Sequence, residues 1–193
     1  NLTLPRPIRD RVTDAGKYRL QWSKYIPHEP HAKQLAFCMT DDILEVLLGG
    51  SAGGGKSDGL LQAGLQYVHE PTYSAILFRR TYSDLALEGA LIPMSKEWLG
   101  GTDALWNEGR KRWTFPSKAT IQFGYLDSPN DIYRYQSANF NYVAFDELTQ
   151  FEEYQYRYLF SRLRRRKDQA HIPLRMRAAT NPGGRGHSWV KRR

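Results

Sequence analysis

One stretch limits the possible folds of this chain more than any other. An apolar run, Ile43 to Leu48, leads straight into "GGSAGGGKSDG". Six of the eleven residues from Gly49 to Gly59 are glycine, and Lys56 stands where the run of glycines gives out. Beyond it Leu60, Leu61, Leu65 and Val68 recur with a helical period. A strand, a loop free to turn its backbone inward, and a helix beginning at a fixed positive charge form a unit found in α/β sheets.

The rest of the chain repeats the alternation. A polar, proline-punctuated lead-in (Pro5, Pro7, Pro27, Pro30) precedes a short helix from about His31 to Met39. "YSAILFRR" and "FNYVAFDE" are apolar runs of strand length, expected to be buried on both faces. A helical segment from Tyr82 to Trp98 is expected to break at Pro93, and "LTQFEEYQYRYLFSRLRRR" reads as one helix. Phe151, Tyr154 and Tyr158 share a face of that helix, which predicts core packing rather than base stacking. "RWTFPSKATIQFG" alternates on both sides of Pro116-Ser117-Lys118, a β-hairpin pattern, and "PLRMRAATNPGG" ends the series with a strand and a turn. The order predicts an α/β domain with a mostly parallel sheet flanked by helices, the hairpin added at an edge or corner. Residues 1–35 are expected to wrap the core, 36–185 to form it, and 186–193 to open a linker.

Composition narrows the function classes. No apolar run approaches the ~20 residues of a membrane span, and "NLTLPRPIRD" lacks the apolar core of a signal peptide. One cysteine, Cys38, excludes an internal disulfide, and its apolar neighbours predict a buried, inert thiol. Five scattered histidines offer no zinc spacing. The net charge of +8 is clustered at Arg110–Arg112, Arg162–Lys167 and Lys191–Arg193, which fits a polyanion or a solvated face.

Gly50, Gly55, Lys56 and Ser57 match G-x-x-x-x-G-K-[ST]. In such a loop the backbone N–H groups of Gly50, Ser51, Ala52, Gly53, Gly54 and Gly55 surround phosphate oxygens, and the lysine reaches the β- and γ-phosphates. Ser57 offers a hydroxyl to Mg²⁺, and the helix N-terminus adds its dipole. About 90 residues on, "YVAFDE" places Asp146 and Glu147 at a strand end. Asp146 is expected to hold the Mg²⁺ through water and Glu147 to polarise an attacking water. A kinase brings its nucleophile on the substrate and needs no second acid, so the pair points to ATP hydrolysis. Thr180 and Asn181 in "AATNPGG" end a third strand; they fit a γ-phosphate sensor or an ordinary Asn-Pro turn.

Taken together these residues resemble the ATPase domain of the large terminase subunit, the genome-packaging motor of tailed bacteriophages. "GGSAGGGKS" is similar to its phosphate loop, "AILFRRTYSDL" to its second core strand, "YVAFDELTQF" to its Asp-Glu strand, and "TNPGGRGHSWVKRR" to its coupling motif and the exit from the domain. The resemblance runs from about Pro30 to the end. It implies a RecA-like P-loop core whose coupling strand lies between the phosphate-loop and Asp-Glu strands. It also implies adenine recognition by Gln34, whose amide can pair with the N6 and N7 edge, and coupling of phosphate state to DNA by Thr180 and Asn181. Arg134 in "DIYRYQSANF" is the first candidate for an arginine finger, Arg79 and Arg80 come next, and Arg162–Arg166 fit DNA or a neighbouring subunit equally. The implied partners are double-stranded DNA, a portal protein, the small terminase subunit and further copies in a ring; the isolated domain is expected to be monomeric, in host cytoplasm. The family's nuclease domain would follow Arg193, so no DNA cleavage is expected here. Three alternatives stay open: another DNA translocase or helicase-like ATPase, a P-loop kinase with "RLRRRK" as a lid, and a nucleotide-switched DNA-binding module.

Overall fold

The computed structural model describes residues 23–50 and 53–193. The expectations for the first 22 residues, and for Ser51 and Ala52 in the loop, lie outside the described residues. The elements are α1 (Ala32–Cys38), β1 (Glu45–Gly49), α2 (Lys56–Leu65), β2 (Ser74–Arg79), α3 (Tyr82–Ala86), α4 (Leu91–Leu99), β3 (Leu105–Asn107), β4 (Arg112–Thr114), β5 (Thr120–Tyr125), a 3-10 segment (Pro129–Tyr135), β6 (Tyr142–Asp146), α5 (Glu153–Phe160), β7 (Arg175–Thr180) and α6 (His187–Arg192).

Seven strands form a sheet in the order β1-β7-β6-β2-β5-β4-β3. The first five are parallel; β4 and β3 continue antiparallel beyond β5, so the predicted hairpin extends one edge. β7 lies between β1 and β6, the order the resemblance implies. The parallel register aligns strand ends in a row: Gly49 opposite Thr180, Asp146 opposite Ala179, Phe78 opposite Phe145, Arg79 opposite Tyr125. That row carries the site.

β2 and β6 are apolar runs because helices cover both faces. Alternate residues of β6 divide between two clusters: Tyr142 and Ala144 pack with Leu60, Leu61 and Leu65 of α2, while Val143 and Phe145 pack with Phe151, Tyr156, Leu159 and Trp189. Cys38 is buried, as its neighbours predict, and burial pushes its thiol up to about 12.

Several local expectations are corrected. The segment from Tyr82 breaks between Leu87 and Ala90, not at Pro93: Gly89 takes a left-handed φ of 74°, and Pro93 sits in the first turn of α4, where no helix bond needs its missing N–H. α5 stops at Phe160, because Leu163 turns away to bridge Phe140. Its buried face is Gln155, Tyr156 and Leu159. Phe151 is buried but precedes the helix, and Tyr154 is exposed. β3 goes unforeseen, since three residues with an exposed Leu105 carry no alternation. Within residues 186–193, α6 forms, where Trp189 is buried and its indole N–H donates to Phe151 O at 3.0 Å.

Candidate active site

The phosphate-loop glycines meet two demands. Gly53 and Gly55 have φ of 75° and 64°, left-handed values that cost other residues free energy. A Cβ at Gly55 would also lie 2.7 Å from Gln34 Nε2. Gly55 is thus the N-cap of α2, and Lys56 begins the helix with its side chain buried.

Three strand ends bring the other groups to this helix. Lys56 Nζ donates to Asn181 Oδ1 at 2.8 Å, across 125 residues of sequence. Asn181 Nδ2 donates to Glu147 Oε1 at 2.9 Å, and the Asn181 backbone N–H donates to Glu147 Oε2 at 3.4 Å. One amide therefore touches both the candidate phosphate-binding lysine and the candidate hydrolytic carboxylate. Glu147 follows β6 with φ 57° and ψ 55°, a left-handed conformation costing a non-glycine residue about 1–2 kcal/mol. Extended backbone would carry its side chain to the alternate face of the sheet; the left-handed turn brings it to Asn181.

Asp146 is 1% exposed, and its Oδ2 accepts from Ser57 Oγ at 2.8 Å. A hydroxyl and a carboxylate, both hard oxygen donors at the foot of a phosphate loop, suit Mg²⁺, which binds few protein oxygens and keeps waters or phosphates for the rest. The same Oδ2 accepts from Arg79 Nε at 2.7 Å. Sequence reasoning places Arg79 only among finger candidates; its true contact depends on β2 pairing with β6, which local pattern does not reveal. Thr180 Oγ1 lies 2.9 Å from Thr149 Oγ1 in a buried pair, a contact with no sequence signal.

Gln34 is held by the protein at both ends of its amide. Its side chain is buried, Oε1 accepts from the His31 backbone N–H, and Nε2 donates to Gly55 O and Asp58 Oδ1 at 2.9 and 2.8 Å. The amide expected to pair with adenine is engaged at both ends by the protein, so adenine would have to displace these bonds. Asp58, which no sequence pattern singles out, centres that network: it also accepts from Gln62 and pairs with His28. Burial raises its carboxyl above the ordinary value, and His28 opposes the rise.

Arg134 lies off this cluster, on the 3-10 segment beyond β5. It pairs with Asp131 at 3.1 Å and stacks on the Tyr125 ring, with half its side chain exposed. Of the basic loop after α5, Arg164 to Lys167 are exposed.

No family model matches the sequence, and no curated protein matches it. Solved structures do match the fold. The large terminase of a thermophilic bacteriophage aligns with a TM-score of 0.64 at 16% identity over 86% of this chain and 42% of that one. The ATPase domain of a Thermus phage large terminase aligns at 0.53 and 16%, over 86% of this chain and 72% of that one. A mutant of that domain aligns at 0.53 and 17%, covering 83% and 68%. This is the fold of a large terminase ATPase domain. The chain spans less than half of the first of these terminases, and in this terminase-like fold the row of strand ends holds Gly49, Thr180, Asp146 and Arg79 together.

Proposed function

We propose that this chain is the ATPase motor domain of a viral large terminase, hydrolysing ATP with Mg²⁺ to drive double-stranded DNA into a procapsid. The observation that carries the proposal is the Asn181 amide, hydrogen-bonded to both Lys56 and Glu147. It joins a phosphate-loop lysine, a carboxylate suited to water activation, and the strand expected to relay phosphate state.

In this reading the glycine loop, including Ser51 and Ala52, and Lys56 bind the phosphates. Ser57 and Asp146 hold Mg²⁺, which when bound offsets charge on the phosphate oxygens. Glu147 orients water for attack on the γ-phosphorus and accepts its proton as the bond to the bridging oxygen breaks. Loss of the γ-phosphate changes what Lys56 and Asn181 contact, and Thr180, tied to Thr149, transmits that change along β7. Arg134, exposed at the edge of the row, suits service to a neighbouring copy in a ring, where a finger contributes on the order of 10³–10⁵ in rate. Gln34 serves adenine only after releasing Gly55 and Asp58. Portal protein, the small terminase subunit and host cytoplasm complete the proposal, with a monomeric isolated domain and no nuclease activity. Glu147 disfavours a kinase, whose substrate brings its own nucleophile.

Turnover of ATP measured with and without duplex DNA and portal protein tests this. Duplex-stimulated hydrolysis without strand separation, lost in Glu147→Ala while nucleotide still binds, is expected. Phosphoryl transfer to a metabolite, or strand separation, overturns it in favour of a kinase or a helicase.

A further inference from the structure

Asp146 Oδ2 holds two donors: Ser57 Oγ at 2.8 Å and Arg79 Nε at 2.7 Å. Asp146 is nearly inaccessible, whereas the Arg79 side chain keeps 20% of its surface exposed. A buried carboxylate needs a compensating charge, and here the guanidinium supplies it. Mg²⁺ held by Ser57 and Asp146 would bring a second, stronger positive charge to the same carboxylate. Two cations beside one carboxylate repel each other, and the partly exposed one, at a strand end, is free to leave.

The next residue shows the same strand end under-satisfied. Among the described residues Arg80 Nη1 is buried without a hydrogen-bond partner, and the Asp127 carboxylate Oδ1 is 3.9 Å away. Thr81 then caps α3, accepting from the Asp84 N–H at 3.1 Å. Any movement of Arg79 therefore reaches a half-buried arginine and a helix start within two residues.

We infer that Arg79 is the exchangeable counter-cation of the metal site. It is a positioning residue: it holds the Asp146 carboxylate aimed at Ser57 before the metal arrives, and leaves that oxygen when magnesium nucleotide binds. The end of β2 thereby registers whether the site is loaded. This rests on the proposed phosphate and magnesium roles of Lys56, Ser57 and Asp146.

The test uses the full chain as wild type, Arg79→Met and Arg79→Lys, with ADP as the probe. ADP affinity is measured in Mg²⁺ and in EDTA, and thermal melting is followed in EDTA and with saturating Mg²⁺ and ADP. Without competition from the guanidinium, the Mg²⁺-to-EDTA affinity ratio of Arg79→Met should exceed the wild-type ratio by at least about fivefold, the lower end of ordinary coupling between two ligands. Its Tm should fall below wild type in EDTA and recover with magnesium nucleotide, and Arg79→Lys should lie close to wild type in both. A wild type whose ADP affinity ignores Mg²⁺ overturns the metal-site reading and this inference with it. A wild type that responds to Mg²⁺, with the Arg79→Met ratio at or below its own, overturns the inference alone, because Arg79 then stays on Asp146 in the loaded state. An unchanged Tm in EDTA also overturns it.

Discussion

Replacing Asn181 by alanine separates phosphate binding from hydrolysis. The side chain makes two charge-assisted hydrogen bonds, one from Lys56 Nζ at 2.8 Å and one to Glu147 Oε1 at 2.9 Å. Their loss acts in opposite senses. Lys56 is released toward the phosphates, so ADP affinity should hold within about threefold or tighten, given that a displaced hydrogen bond to a charge nets at most about 1.5–3 kcal/mol before its replacement is counted. Among the described residues Glu147 keeps only the longer backbone bond at 3.4 Å, so its carboxylate is no longer fixed. If the lost bond acts in the transition state, about 1.5–3 kcal/mol corresponds to a fall in kcat of roughly 10- to 150-fold. Steady-state ATP hydrolysis alongside titration of a fluorescent ADP reads both quantities. A loss confined to affinity, with kcat intact, refutes the role of Asn181 in holding Glu147 and returns "TNPGG" to an ordinary turn.

Lys56→Ala should abolish nucleotide binding or turnover while the melting transition persists; unchanged hydrolysis removes the phosphate-loop assignment. Arg134→Ala should leave ADP binding intact but remove the rise in specific activity with protein concentration expected of a finger acting between copies, a rise whose absence in wild type counts against that role. At Gly124, a Cβ would meet Tyr135 Oη at 2.6 Å and Phe78 Cε1 at 2.7 Å. Gly124→Ala should therefore cost about 1–3 kcal/mol, lowering Tm by about 2–4 °C per kcal/mol for a chain of this size; a Tm equal to wild type refutes the tight packing. Because Cys38 keeps its proton up to about 12 in the fold, the folded state binds more protons than the unfolded one above the ordinary thiol range, and stability falls as pH rises there. Cys38→Ala should flatten that fall between about pH 9 and 10, before the buried tyrosines contribute; an identical slope in the two proteins contradicts it.

Short-range pattern already contained the strand, glycine loop and helix around Lys56. Glycines at left-handed positions, a lysine opening a helix and an apolar strand before them are all set within about 20 residues, where geometry follows from local sterics. The strands β2 and β6 were legible for the same reason, since burial on both faces leaves unbroken apolar runs. Where helices end was less so. The stop after Phe160 depends on Leu163 bridging Phe140, and the docking of α6 depends on Trp189 reaching Phe151, contacts between segments far apart in sequence.

The site divides along the same line. From the residues alone it follows that this chain carries a G-x-x-x-x-G-K-[ST] loop, an Asp-Glu strand end and a polar Thr-Asn strand end. Only the sheet order, β7 between β1 and β6 with β2 beyond, decides that Asn181 bridges Lys56 and Glu147 and that Arg79 lands on Asp146. It is likewise tertiary packing that engages the Gln34 amide with Gly55 and Asp58. Residue types record which chemistry is available, because each side chain carries its own donors and charges. Which of them meet is settled by strand pairing between segments far apart in the chain, an interaction that periodicity and motif spacing do not encode.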